Sequence, residues 1–328
     1  MIIPIVGASA LEFWLSGVST FPANQFSIKN RKLVSLPEEY SIPYSQELYR
    51  DISAKYHLSL PVHVMAEKAS GRISNQFLSA CIRPKHLPKD SFIQINDIYM
   101  SSPELCFIQL ANTLPLPKLV EIANNLCAIF AFDKNAAYGQ SPREQLLSVQ
   151  NIKDYLCGVK KLSGVKNARQ AISYAADRSF SPMESKLAAL EVLSLSQGGY
   201  GFPKPELNFD VTLSEDAARF LGRQTCCCDQ VWPDQKVIVE YDSNLSHLSP
   251  NQHAYDKRKA NALNMSGYRV FFITAENMRS FKDIEKTFLN LRKILGIRPL
   301  VTQFNKNESK RRDAVHTIVF DSLEKYLF

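Results

Sequence analysis

The chain has no CxxC pair among its seven cysteines and no histidine at zinc-site spacing from any of them. Cys81, Cys106, Cys127, Cys157, Cys226, Cys227 and Cys228 form an odd set, so neither a disulfide framework nor a structural zinc is indicated. A reducing cytoplasm is the expected compartment. The sequence has no run of eighteen apolar residues, which argues against a spanning helix and a membrane partner. The first residues, MIIPIVGASALEFWLSG, carry no basic group before their short apolar run and read as part of the fold, not as an export signal. No internal repeat divides the chain. Neither sign of charge dominates: 39 Lys and Arg against 32 Asp and Glu give +7, which fits a polyanionic partner without demanding one.

What is present is length and apolar content. At 328 residues and 45% apolar residues the chain suits two domains with sizeable cores. Residues 1–176 read as a separate α+β region. In it, Ser9 to Ser16 is a short helix, Phe26 to Glu39 basic and extended, and Tyr44 to Lys55 a second helix. Pro61 to Ala66, Ser79 to Ile82 and Ser91 to Met100 suggest a small meander broken by Gly71, Pro84 and Pro88. The Ser102-Pro103-Glu104 step opens a helix to about Asn112, Leu116 to Phe132 continues helically, and Gln145 to Tyr155 and Val165 to Ala176 add two more. Residues 177–298 read as an α/β domain, with Ser181-Pro182 starting a helix and Ser196 to Pro205 irregular. Residues 299–328 read as an extension, whose Lys306 to Arg312 run, KNESKRR, has the composition of a solvated loop.

The densest chemistry lies between Cys226 and Thr274. Thr225 to Trp232 and Lys236 to Tyr241 are β-branched and aromatic runs around a Pro-Asp turn, expected to pair antiparallel. Alternation at roughly 3.3 Å per residue points Glu240 and Asp242 the same way, about 6.6 Å apart, and lets Asp229 join them from the neighbouring run. Alternation also sends Cys226 and Cys228 one way and Cys227 the other. Glu240 lies inside Val237-Ile238-Val239-Glu240-Tyr241, where an uncompensated carboxylate costs several kcal/mol, so a cation, a basic partner or a proton must accompany it. Hard divalent ions favour such oxygen donors.

The order of these residues resembles the PD-(D/E)XK nucleases of restriction-endonuclease-like fold, most closely the very-short-patch-repair type. There a helix carrying an acid precedes the sheet, an Asp lies on the second strand, an acidic strand end follows, and a basic helix leads to another strand. The counterparts here are Glu184, Asp229, Glu240-Tyr241-Asp242, the Asp256-Lys257-Arg258-Lys259 run with Leu263, and Gly267-Tyr268-Arg269-Val270. The resemblance implies a mixed sheet flanked by helices and a metal-dependent DNA endonuclease. Asp229 and Glu240 would hold one or two Mg²⁺ or Mn²⁺ ions, with Glu184, Asp242 and Lys259 as further catalytic groups. Lys257, Arg258 and Lys259 would contact DNA phosphates. At the position of the family's lysine stands Asp242, which leaves His247, Lys257 and Lys259 as candidates for that role. The first half also looks like the regions preceding nuclease-like domains in abortive-infection-type antitoxins, which implies a partner protein in a toxin–antitoxin pair.

Each residue has a plainer reading. Glu184 at a helix start is favoured by the helix dipole, Asp242 before Ser243-Asn244 suits an Asx turn, and Asp229 could simply end a strand. The chain could accordingly be a non-catalytic DNA-binding regulator or antitoxin on a nuclease-like fold, or a protein-interaction domain.

Overall fold

A computed structural model describes residues 2–16, 30–136, 138–242, 250–297, 306–322 and 325. The chain divides into two compact units: Met1–Ala175 with Asp321–Phe328, and Ala176–Phe320. Each is a mixture of helices and sheet, and among the described residues no sheet runs through both.

In chain order the first unit comprises β1 (Ile3–Ile5), α1 (Gly7–Leu15), β2 (Leu33–Val34), α2 (Gln46–Tyr56), β3 (Val62–Ala66), β4 (Leu78–Ile82), β5 (Phe92–Ile95) and β6 (Ile98–Ser101). Then come α3 (Pro103–Leu110), α4 (Leu116–Leu126), β7 (Phe130–Phe132), β8 (Gln140–Pro142), α5 (Val149–Gly158) and α6 (Val165–Ile172). The six-stranded sheet runs β2-β5-β6-β1-β3-β4. It is not the expected meander, because β1 pairs parallel with β6 and β3 parallel with β4. The short Ile-Pro-Ile strand, buried at all three residues, enters the middle of the sheet. The Ser91 to Met100 run is a hairpin turning at Asn96, which takes a left-handed φ of 52°. The helix from Leu116 ends ten residues later, and Phe130–Phe132 pairs as a strand with β8. Of the expected extended segment Phe26 to Glu39, residues 26–29 lie outside the described residues.

Buried charge in this unit is matched pair by pair. Arg31 is paired with Glu104. Lys118 Nζ donates to Glu121 Oε2 at 2.6 Å and to the Asp321 carbonyl at 2.9 Å, with both side chains almost wholly buried. Arg143 donates to the carbonyls of Trp14 and Asn125. These lie in the last turns of α1 and α4, so its charge meets the negative ends of two helices.

The second unit comprises α7 (Pro182–Val192), β9 (Glu206–Thr212), α8 (Glu215–Leu221), β10 (Thr225–Trp232), β11 (Val237–Asp242) and α9 (Pro250–Met265). It continues with β12 (Arg269–Thr274), α10 (Ala275–Arg279), α11 (Phe281–Ile294) and α12 (Lys306–Phe320). Its sheet is ordered β12-β11-β10-β9, antiparallel except for the β11–β12 pair. Parallel neighbours need a crossover, and α9 supplies it. On one face Val231, Ile238, Cys226 and Cys228 pack with Ala217 and Leu221 of α8 and Ala262 and Leu263 of α9. The alternation slips at Asp229, since Cys228 and Val231 share this face. Trp232, next to Val231, lies on the other face and meets Phe202 at 6.1 Å between ring centres, and Phe202 meets Phe288 of α11 at 5.5 Å. Helices therefore cover both faces.

The C-terminal residues do not form an extension of their own. Lys306 to Arg312, expected as a solvated loop, opens α12, and Arg312 is buried with its guanidinium 2.9 Å from Glu285 of α11. Val315, His316 and Val319 are buried on the same helix. Its packing against α7 and its contacts with Glu285 and Phe281 of α11, and not the composition of its first turn, decide its structure.

Candidate active site

The β10–β11 hairpin aligns Trp232 with Val237, Val231 with Ile238 and Gln230 with Val239. Continued by one step, this register sets Asp229 opposite Glu240, on the face of Val231 and Ile238. Directly opposed side chains in an antiparallel pair are about 5 Å apart at Cβ. The Asp229 carboxylate reaches onto β11, where Oδ2 accepts the Tyr241 N–H at 2.7 Å. The β9–β10 register is interrupted at Asn208 and Asp229, between the pairs Cys228–Phe209 and Gln230–Leu207, and there Asn208 takes a φ of 46°. Asn208, Asp229 and Glu240 thus come from three neighbouring strands.

Two helices complete the site. Ser181 caps α7, its hydroxyl accepting the Glu184 N–H at 3.2 Å, and Pro182 opens the first turn. Glu184 is buried, yet its carboxylate accepts hydrogen bonds from the Phe180 N–H (2.8 Å), the Ser181 hydroxyl (2.9 Å) and Asn208 Nδ2 (2.8 Å). From α9, Lys259 Nζ stands 2.7 Å from Glu240 Oε1, with the two side chains 18% and 12% exposed. Ala262 and Leu263 seat that helix one turn further on.

Three carboxylates share one ammonium here, and the electrostatics follow. Asp229 is pushed up to about 8, first by burial, then by the charges of Glu240 and Glu184, against the opposing pull of the Tyr241 N–H and Lys259. Glu184 is raised by burial and by Glu240, while its three donors hold it down. Burial pulls Lys259 down, but Glu240, Cys228 and Asp229 together outweigh that and drive it upward. Cys228 is buried against Glu240, and both effects raise its thiol. Two turns along α7 from Glu184, Glu191 is fully buried beside Gln230, and burial holds its carboxyl well above the usual range.

Of the residues anticipated from sequence, Glu184, Asp229, Glu240 and Lys259 come together. Asp242 closes β11 opposite Thr274, and its charge acts on the Tyr241 phenol. Lys257, Arg258 and Lys259 do not form one row, since consecutive helical residues diverge by about 100°. Lys257 is exposed, Arg258 lies over the Phe220 ring and donates to the Phe220 carbonyl, and Lys259 turns inward. His247 lies outside the described residues. The cysteines alternate as expected, Cys226 and Cys228 buried and Cys227 exposed. Asn208 was not anticipated, because β9 was not. Its sequence, Glu206-Leu207-Asn208-Phe209-Asp210-Val211-Thr212, alternates polar and apolar residues throughout, which is the strand signal that would have found it.

Comparison with known proteins leaves the site to speak for itself. No family model and no solved structure matches this chain. It is similar to Uncharacterized protein Rv2248 of Mycobacterium tuberculosis strain H37Rv and to Uncharacterized protein MT2308 of strain CDC 1551 / Oshkosh. Each is 26% identical over 116 residues, covering 35% of this chain. The match spans 38% of the length of either relative.

The donor set suits a small divalent cation. Among the described residues no three His, Cys, Asp or Glu side chains are gathered closely enough to hold an ion by themselves. Mg²⁺ does not need three: one or two carboxylates, waters and substrate phosphate are its usual shell. Asp229 and Glu240, paired across two strands and burdened by their own repulsion, fit that requirement. Glu184, with three donors already on its carboxylate, suits a water-orienting role. No helix among the described residues is long and apolar enough to cross a membrane.

Proposed function

We propose that this chain is a metal-dependent endonuclease of restriction-endonuclease-like fold, which hydrolyses phosphodiester bonds in DNA. The observation that carries this reading is the buried row of Asp229 and Glu240 with Glu184 above it and a single lysine against it, a negative excess that a cation would neutralise. The order of elements supports it. An acid-bearing helix, α7, precedes the sheet, Asp229 stands on the second strand in chain order, Glu240 on the third, and α9 leads on to a parallel β12.

Asp229 and Glu240 would hold Mg²⁺ or Mn²⁺, which when bound polarises a phosphate oxygen and acidifies water. Glu184 accepts a proton or a hydrogen bond from the attacking water, its orientation fixed by Phe180, Ser181 and Asn208. Lys259 takes the part of the family's strand lysine, where Asp242 stands instead: its Nζ arrives from α9 and meets the charge that develops on the phosphate. Lys257, exposed on the same helix, can contact the DNA backbone.

One observation favours a second reading. Lys259 already neutralises Glu240, an arrangement that would persist in a DNA-binding regulator that no longer turns over. Incubation of the protein with supercoiled and single-stranded DNA, with Mg²⁺, Mn²⁺ or EDTA, separates the two. Metal-dependent nicking is the expected result. Salt-sensitive binding without cleavage under every metal condition would replace the nuclease by the regulator.

A further inference from the structure

We propose that Asn208 is the positioning residue of this site, holding the Glu184 carboxylate in place through its side-chain amide. The inference rests on the nuclease reading for its catalytic consequence, but its structural basis is independent of turnover.

Asn208 lies within β9 yet has a φ of 46°, the left-handed region. Non-glycine residues seldom adopt it, and one that does so inside a strand is held there by its surroundings. The cause is visible in its side chain. Nδ2 donates twice, to the Arg178 carbonyl at 2.9 Å and to Glu184 Oε2 at 2.8 Å. Only the NH₂ end of the amide can serve two acceptors, so the assignment of its nitrogen and oxygen is fixed by chemistry. Both protons are committed, one to the segment before α7 and one to the acid that α7 carries. In the β9–β10 register Asn208 and Asp229 are the step left unpaired, between Cys228–Phe209 and Gln230–Leu207, and Glu184, to which Asn208 donates, is near enough to Asp229 for its charge to act there. One residue therefore holds the Glu184 carboxylate from β9, the strand next to the one that carries Asp229.

The groups that face Glu184 set the direction of the effect. Asp229 on β10 and Glu240 on β11 repel its charge, and Lys259 on α9 acts through Glu240. Phe180, Ser181 and Asn208 are its donors. Loss of one donor leaves the acids less opposed, so Glu184 keeps its proton to higher pH.

Asn208→Gly distinguishes a positioning amide from a residue retained for its backbone. Glycine takes the left-handed conformation freely, so the fold should be kept, at a Tm lowered by no more than the loss of the two hydrogen bonds implies, while the amide is gone. Partners of this kind typically contribute 10–100-fold, so kcat for plasmid nicking should fall by about that factor, with the acid limb of its pH profile moved to higher pH. Asn208→Asp, which also tolerates the conformation but sets a carboxylate against Glu184, should move the limb the same way and serves if the glycine variant does not fold. The ¹³C titration of the Glu184 carboxyl, recorded on metal-free protein, should shift upward in both variants whether or not the wild type cleaves DNA. A wild type without nuclease activity therefore overturns the function and leaves this inference to the titration. An unmoved Glu184 midpoint in a folded variant overturns the inference itself.

Discussion

The first unit and the β10–β11 site of the second bury charge in opposite ways. In the first unit, Arg31 answers Glu104 and Lys118 answers Glu121, each acid having one cation of its own, as Glu285 has Arg312 in the second. At the site, Glu184, Asp229 and Glu240 have Lys259 as their one paired cation among the described residues, and Asp229 is pushed up to about 8. Burying a matched pair leaves a static contact whose net contribution is small but whose disruption is costly. An unmatched cluster is costly while nothing is bound to it. Such a cost is retained where binding or chemistry relieves it.

The largest test of this contrast is Glu240→Gln, which removes one carboxylate charge at nearly constant shape. Cleavage should fall by orders of magnitude while far-UV circular dichroism and DNA affinity are largely kept; activity within a few-fold of wild type would place the chemistry elsewhere. In the first unit, Lys118→Met should do the reverse. It strands Glu121 without its partner, so stability should drop by about 3–5 kcal/mol in denaturant titration, with cleavage per folded molecule unaltered.

The effect that depends on pH is the most diagnostic. Asp229 ionises at an ordinary 3.8 when exposed and at about 8 in the folded, metal-free chain. Between those values the folded state keeps a proton that the unfolded chain has released, so stability falls as pH rises through the window, by at most about 1.4 kcal/mol per unit. Asp229→Asn keeps an acceptor for the Tyr241 N–H and removes the titration. In EDTA its Tm should exceed that of the wild type at pH 8, the difference vanishing near pH 4, while its cleavage is lost. A wild-type Tm independent of pH between 5 and 8 would show the cluster to be compensated already. Added Mg²⁺ should raise the wild-type Tm more at pH 8 than at pH 6, because the ion competes with that proton.

How far the sequence foretold this depends on the range of the interactions involved. Asp229 and Glu240 were legible because a hairpin with a short turn fixes which side chains oppose, and Glu184 because Ser181-Pro182 marks its helix start. Lys259 emerged as a candidate for the missing strand lysine, but its inward aim depends on how α9 seats Ala262 and Leu263 on the sheet. Asn208 escaped because no element was assigned between the irregular stretch Ser196 to Pro205 and Thr225, in spite of the alternation that begins at Glu206. The six-stranded sheet was illegible in its order, since β1 joins strands some sixty and ninety-five residues away and no local pattern encodes such a pairing. In α12, four basic residues in the first seven suggested solvent, and only the presence of Glu285 on α11 gives Arg312 a reason to be buried.

On the nuclease reading proposed above, the ion pair between Lys259 and Glu240 bears on metal uptake. A divalent ion that engaged Glu240 would first have to displace an ammonium that is already in place, and the tether makes the local concentration of that competitor independent of the medium. The apparent affinity for metal would thereby be weakened by a constant factor, a threshold written into the chain. Shortening or removing the Lys259 side chain would lower that threshold even as it impairs the handling of substrate, so occupancy by metal and productive use of it are set against each other at a single nitrogen atom.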